Sequence, residues 1–137
     1  MRWLKSIVRK KTKWILFSVL IFLVVVIASG IYLFNRINQE LENLPVIEQS
    51  SVDLSTIEDG VYEGVYKTTI ISVIVEVTIE NHQIIKIEII EHDNGQGAPA
   101  NAIVDDVIEA QSLDVDYIAG ATYSSKVILL AIEDALS

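Results

Sequence analysis

Hydroxyls, small residues and one lysine crowd into a single stretch of the chain, Asp114-Val115-Asp116-Tyr117-Ile118-Ala119-Gly120-Ala121-Thr122-Tyr123-Ser124-Ser125-Lys126. The small residues Ala119-Gly120-Ala121 stand directly before Thr122, Ser124 and Ser125, where a helix is predicted to begin. Small residues let the backbone approach a ligand closely. A helix start offers unpaired N–H groups and a positive partial charge, which is what a phosphate needs. Lys126 would fall in the first turn, where the helix dipole disfavours a cation unless an anion sits there. The same residues admit a plainer reading, with Thr122, Ser124 or Ser125 as an ordinary N-cap and Gly120 as a turn. No nucleophile–base pair of the hydrolase type accompanies them.

The elements that must position this stretch are legible from charge and hydropathy. The chain has 137 residues, 51% apolar, with no cysteine and a net charge of −9. Absence of cysteine excludes disulfides, thiolate metal sites and iron–sulfur clusters. The acidic balance excludes nucleic acid, whose binding requires Lys and Arg on phosphates. The charge is unevenly spread. Residues 1–14 hold Arg2, Lys5, Arg9, Lys10, Lys11 and Lys13 and no acid, whereas all 19 acidic residues lie within 35–137.

Residues 15–34 carry no charge, so a helix over them spans about 30 Å, the hydrocarbon thickness of a bilayer. Trp14 and Tyr32 suit its two interfaces. The basic flank predicts a single pass through the cell membrane, with a cytoplasmic tip (1–14) and the acidic body outside. Ala28-Ser29-Gly30 leaves a cleaved signal sequence as the alternative. Both readings export the body. Residues 35–58 read as a stalk, with Ile37, Leu41 and Leu44 continuing the helix for some turns until Pro45 ends it.

Residues 59–137 read as one α+β domain, a small antiparallel sheet with helices packed on one face. Strands are expected over 61–66, 69–79 and 84–91. In the second, Ile71, Val73, Val75, Val77 and Ile79 share a face; in the third, alternation assigns Ile85, Ile87 and Ile89 to the core side. Glu80-Asn81-His82-Gln83 reads as the turn between them. Residues 92–99 read as a loop, 100–111 as a helix, 112–121 as irregular and 124–136 as a final helix. His92 borders the loop, either shaping it at the solvent edge or touching a ligand. His82 falls in the turn. Two separated histidines make a weak metal site. Asp105-Asp106, Asp114 and Asp116 lack the spacing of a calcium loop.

The run DYIAGATYSSKVILLAIEDAL resembles the C-terminal motif of the FMN-binding domain family. That family includes the flavin-bearing subunits of sodium-pumping NADH:quinone reductase and of the Rnf complex, and small single-span extracytoplasmic flavoproteins. Its signature is Asp, two variable residues, Ser or Thr, Gly, Ala, then Thr or Ser. The matching positions are Asp116, Gly120, Ala121 and Thr122, and Ala119 stands where the family usually has Ser or Thr. The run DGVYEGVYKTTIISVIVEVTIENHQIIKIEIIEH resembles the same domain's first half. The resemblance implies FMN as cofactor, joined as a phosphoester to Thr122 by an FMN transferase that reads Asp116. It implies a cofactor site at Gly120, Ala121, Tyr123, Ser124, Ser125 and Lys126, with His92, Asn94 and Gly97 from the upstream loop. The implied role is electron transfer between a membrane quinone-linked reductase, or other flavoproteins, and an outside acceptor. The class that competes is a non-redox sensory or accessory module that binds flavin reversibly or not at all.

Overall fold

The computed structural model describes residues 2–45, 52–93 and 98–137, with side chains from residue 14 onward. They form two compact units, Met1–Gln39 and Glu40–Ser137. The first is helical along its described length, within α1 (Arg2–Glu42). Side chains from Trp14 to Phe34 are exposed, and Trp14–Glu42 holds a stretch long and apolar enough to cross a membrane. Ser18 donates its hydroxyl to the Ile15 carbonyl at 2.9 Å, so this polar group is satisfied within the helix itself. The helix ends at Glu42, ahead of Pro45, which cannot continue it.

The second unit opens with the last residues of α1; Leu41 there and Leu44 just past the helix are buried. Glu40 Oε1 accepts from the Thr69 N–H at 2.8 Å. After a 3₁₀ turn at Leu54–Thr56 come three antiparallel strands, β1 (Gly60–Lys67), β2 (Ser72–Glu80) and β3 (Gln83–Asp93), in the order β1-β2-β3. A second 3₁₀ turn (Ala98–Ala102) leads into α2 (Ile103–Ala110), and α3 (Thr122–Ala135) closes the chain. The class is α+β, with the helices on one face of the sheet.

Strand β2 is the spine of the core. Val73, Val75, Val77 and Ile79 are fully buried and alternate with half-buried Ser72, Ile74, Glu76 and Thr78. Each such side chain contributes about 1.5–3 kcal/mol on burial. The strand begins at Ser72, not at residue 69, because Thr68 closes a turn: its N–H donates to the Ile71 carbonyl at 2.8 Å. The β2–β3 turn is a two-residue turn in which Asn81 (φ 52°) and His82 (φ 60°) are both left-handed. That is the turn whose twist matches paired strands. His82 Nδ1 is hydrogen-bonded to the Ile57 carbonyl at 2.9 Å.

Strand β3 departs from simple alternation. Thr78 pairs with Lys86 but Ile79 pairs with Ile84, so Ile85 is an extra residue in a bulge. The bulge shifts the phase by one. Ile84 and Ile87 are buried, whereas Ile85, expected on the core side, is 46% exposed. A second shift between Ile74 and Val75 makes Ile90 extra and leaves it exposed. Past it, His92 pairs with the buried Val73.

Each sheet edge is met at one residue by a side chain from a helix or its cap. Asp134 Oδ2 accepts from the Val65 N–H on the β1 edge at 2.9 Å. On the β3 edge, the Gln111 amide accepts from Ile84 N and donates to Ile84 O, each at 2.8 Å, as a further strand would. Gln111 holds φ 52° at the end of α2, turning its side chain out of the helix. Helix α2 is shorter than the predicted 100–111, since its first residues are taken by the 3₁₀ turn.

Helix α3 starts two residues earlier than expected and is apolar nearly all round, with Val127–Ile132 buried without a break. Such a helix must be covered on several sides. It presses on β1 at Gly64, where an added Cβ would meet the Ala131 carbonyl oxygen at 2.0 Å and the Ala135 nitrogen at 2.6 Å. Both are backbone atoms, so the helix as a whole would have to shift. Gly64→Ala is therefore expected to lower unfolding free energy by about 3 kcal/mol or more, read as a reduced denaturant midpoint of the folded domain; an unchanged midpoint would contradict this packing.

Candidate functional site

The segment from Gln111 to Ala121 carries no regular element but is closely tied to α3. The Ser112 hydroxyl accepts from Asp114 N at 3.1 Å, and Leu113 is buried as an anchor. Ala121 N donates to the Ile118 carbonyl at 3.0 Å, closing a tight turn over Ala119-Gly120. Gly120 takes φ +79°, a conformation that strains any residue with a Cβ, although the space around it is open. Glycine is there for its backbone freedom.

The helix N-cap is Ala121, which makes no side-chain cap. The plainer reading, in which Thr122, Ser124 or Ser125 is the N-cap, therefore does not hold. The first helical bond is Ser125 N to Ala121 O at 2.9 Å, so the N–H groups of Thr122, Tyr123 and Ser124 precede it. Ser125, fully buried, uses its hydroxyl to accept from Ile118 N at 3.1 Å. The side chain that could have capped the helix instead fastens the loop before it. Ser124 is buried too.

Around the uncapped start, Thr122 is exposed, Tyr123 is 39% exposed and Asp116 is exposed. Thr122 and Lys126 are four apart in the helix and so share a face. The Lys126 ammonium lies 5.7 Å from the centroid of the Tyr117 ring, a cation–π contact. Exposed hydroxyl, free N–H groups, a nearby ammonium and a strain-tolerant glycine thus meet at one helix end. This donor set fits a phosphate monoester or diester.

Of the residues expected in the site, 120–126 form the turn and the start of α3, and Asp116 is an exposed residue of the segment before it. His92 lies on β3, its Nδ1 hydrogen-bonded to Asn101 Oδ1 of the second 3₁₀ turn. It thereby ties the end of the strand to the turn that packs on α3. Asn94 and Gly97 fall outside the described residues. Tyr117 and Asn101 were not singled out by sequence; both depend on tertiary contacts that no local spacing signals. Among the described residues, no group of three or more His, Asp or Glu side chains could hold a metal ion.

The family model described as the FMN-binding domain matches residues 69–137. The protein belongs to the FMN-binding domain family, and its cofactor is FMN. The match covers the sheet from the β1–β2 turn onward, both following helices and the whole phosphate-compatible helix start. Among curated proteins, none matches the chain.

Ser125→Ala would leave the Ile118 N–H without its acceptor, a loss of about 1–3 kcal/mol for a buried donor. The expected result is a lower unfolding midpoint together with faster amide exchange at Ile118 and Ala121. Unaltered exchange there would show that the loop is held by other means.

Proposed function

We propose that this protein is a membrane-anchored flavoprotein. Its exported domain carries FMN as a phosphoester on Thr122 and passes electrons between a membrane quinone-linked reductase and an acceptor outside. The observation that carries the reading is the exposed Thr122 hydroxyl at the uncapped start of α3, flanked by a lysine on the same helix face.

Attachment needs an activated flavin phosphate and an FMN transferase. With a flavin phosphoanhydride as donor, the Thr122 oxygen would form the new P–O bond, the anhydride P–O bond would break to release the second phosphate as the leaving group, and the hydroxyl proton would pass to a base on the transferase. The N–H groups of the first turn and Lys126 would hold the phosphate, whose negative charge they favour. Gly120 allows the left-handed turn that leads into the helix start, and Asp116 offers the transferase an exposed carboxylate. Bound in this way, FMN supplies reversible one- and two-electron chemistry. The link also keeps the cofactor at high effective concentration in a compartment where a dissociated one would be diluted away.

Ala119 supports a second reading. With a methyl where the family usually has a hydroxyl, flavin is held reversibly in an accessory or sensory module. Expression with the transferase followed by denaturing electrophoresis separates the two. A fluorescent band that Thr122→Ala abolishes is expected. A dark band from protein that is yellow before denaturation would favour reversible binding.

The chain's lack of cysteine gives a clean test of topology. In the Ser137→Cys variant, the single thiol is expected to react with a membrane-impermeant maleimide on intact cells. Reaction only after permeabilisation would place the domain in the cytoplasm.

A further inference from the structure

Resting on the proposal that FMN is held at Thr122, we infer that Tyr117 is a cofactor-contacting residue: its ring gives the isoalloxazine its packing surface, and Lys126 and Tyr117 form a pair assembled before the flavin arrives. The geometry favours Tyr117 over the nearer tyrosine in sequence. Tyr123 follows Thr122 directly, and neighbouring helical residues point about 100° apart. Lys126 is one turn on and shares the Thr122 face. Its ammonium lies 5.7 Å from the Tyr117 ring centroid, so the lysine that shares the Thr122 face also reaches the Tyr117 ring.

The ring is also held in place from behind. Ile118 N is bonded to Ser125 Oγ and Ala121 N to Ile118 O, so the residue following Tyr117 is pinned to the first turn of α3. Yet Tyr117 is 40% exposed and is not spent in the core. A phosphodiester on Thr122 places a full negative charge one turn from Lys126, and an ammonium is drawn to a formal charge more strongly than to a ring quadrupole. Lys126 then turns towards the phosphate and leaves the Tyr117 face open to the flavin ring.

A phenol in contact with excited flavin quenches its emission, since an electron passes from the ring to the flavin and returns without net chemistry. The test compares protein loaded by the transferase, at equal flavin absorbance. Tyr117→Leu is expected to raise the native-state fluorescence yield and lifetime several-fold, while Tyr117→Trp, which keeps an electron-rich ring, stays dim. Unfolding in denaturant should abolish the differences. A Tyr117→Leu protein as dim as the unsubstituted one, or a rise confined to Tyr123→Leu, overturns the inference and leaves attachment at Thr122 intact. Unsubstituted protein that takes up no flavin at all overturns the underlying reading and this inference with it. Far-UV circular dichroism of each variant checks that a half-exposed ring has been replaced without loss of fold.

Discussion

Helix α3 can lie on the sheet only where β1 has no side chain. The gap at Gly64 is too narrow for a methyl group, and the atoms on the far side are helix backbone. Interiors are packed to crystal-like density, so an intrusion of this kind cannot be absorbed locally. The contact fixes the C-terminal half of α3 against β1, and Asp134 on the same turn meets the strand's free edge at Val65. A helix held so firmly at one end presents its other end in a defined place. The candidate site is built at that other end.

The start of α3 therefore has positional accuracy without being buried. Its backbone donors are left open because Ala121 has no side chain to cap them, and Ser125 is committed to the preceding loop. Helix stability is given up at this end, since a Ser, Thr or Asp at the cap is worth about 1 kcal/mol. An anion bound by the folded state would return that stability. The same sequence choice that weakens the empty helix thus strengthens the occupied one. Lys126, one turn into the helix, adds on the Thr122 face a cation that a phosphate there would favour.

Much of this was legible in sequence, for identifiable reasons. The alternation that runs to Ile79 reads as a half-buried strand, and the uncharged run before Asn35 reads as a helix long and apolar enough to cross a bilayer. The resemblance read from the motif ending at Thr122 agrees with the family match over residues 69–137. The phase of β3 was not legible: the run from Ile84 to Ile90 offers isoleucines to either face, and only the pairing with β2 decides that Ile85 and Ile90 are bulged out. Nor could local spacing separate the hydroxyls of Thr122, Ser124 and Ser125. Their difference comes from burial, which leaves Thr122 in solvent and turns both serines inward. The Gln111 amide acting as a surrogate strand, and Tyr117 meeting Lys126, depend on loop geometry beyond the reach of any periodicity.

The central claim is that a flavin phosphate is fastened to the side chain that opens α3. Its most direct test is mass spectrometry of the tryptic peptide 87–126 from protein produced with its transferase, with fragmentation to locate any addition. The account predicts one FMN moiety in phosphoester linkage on Thr122 and unmodified Ser124 and Ser125. A peptide of unmodified mass, or an FMN moiety on either serine, would contradict it.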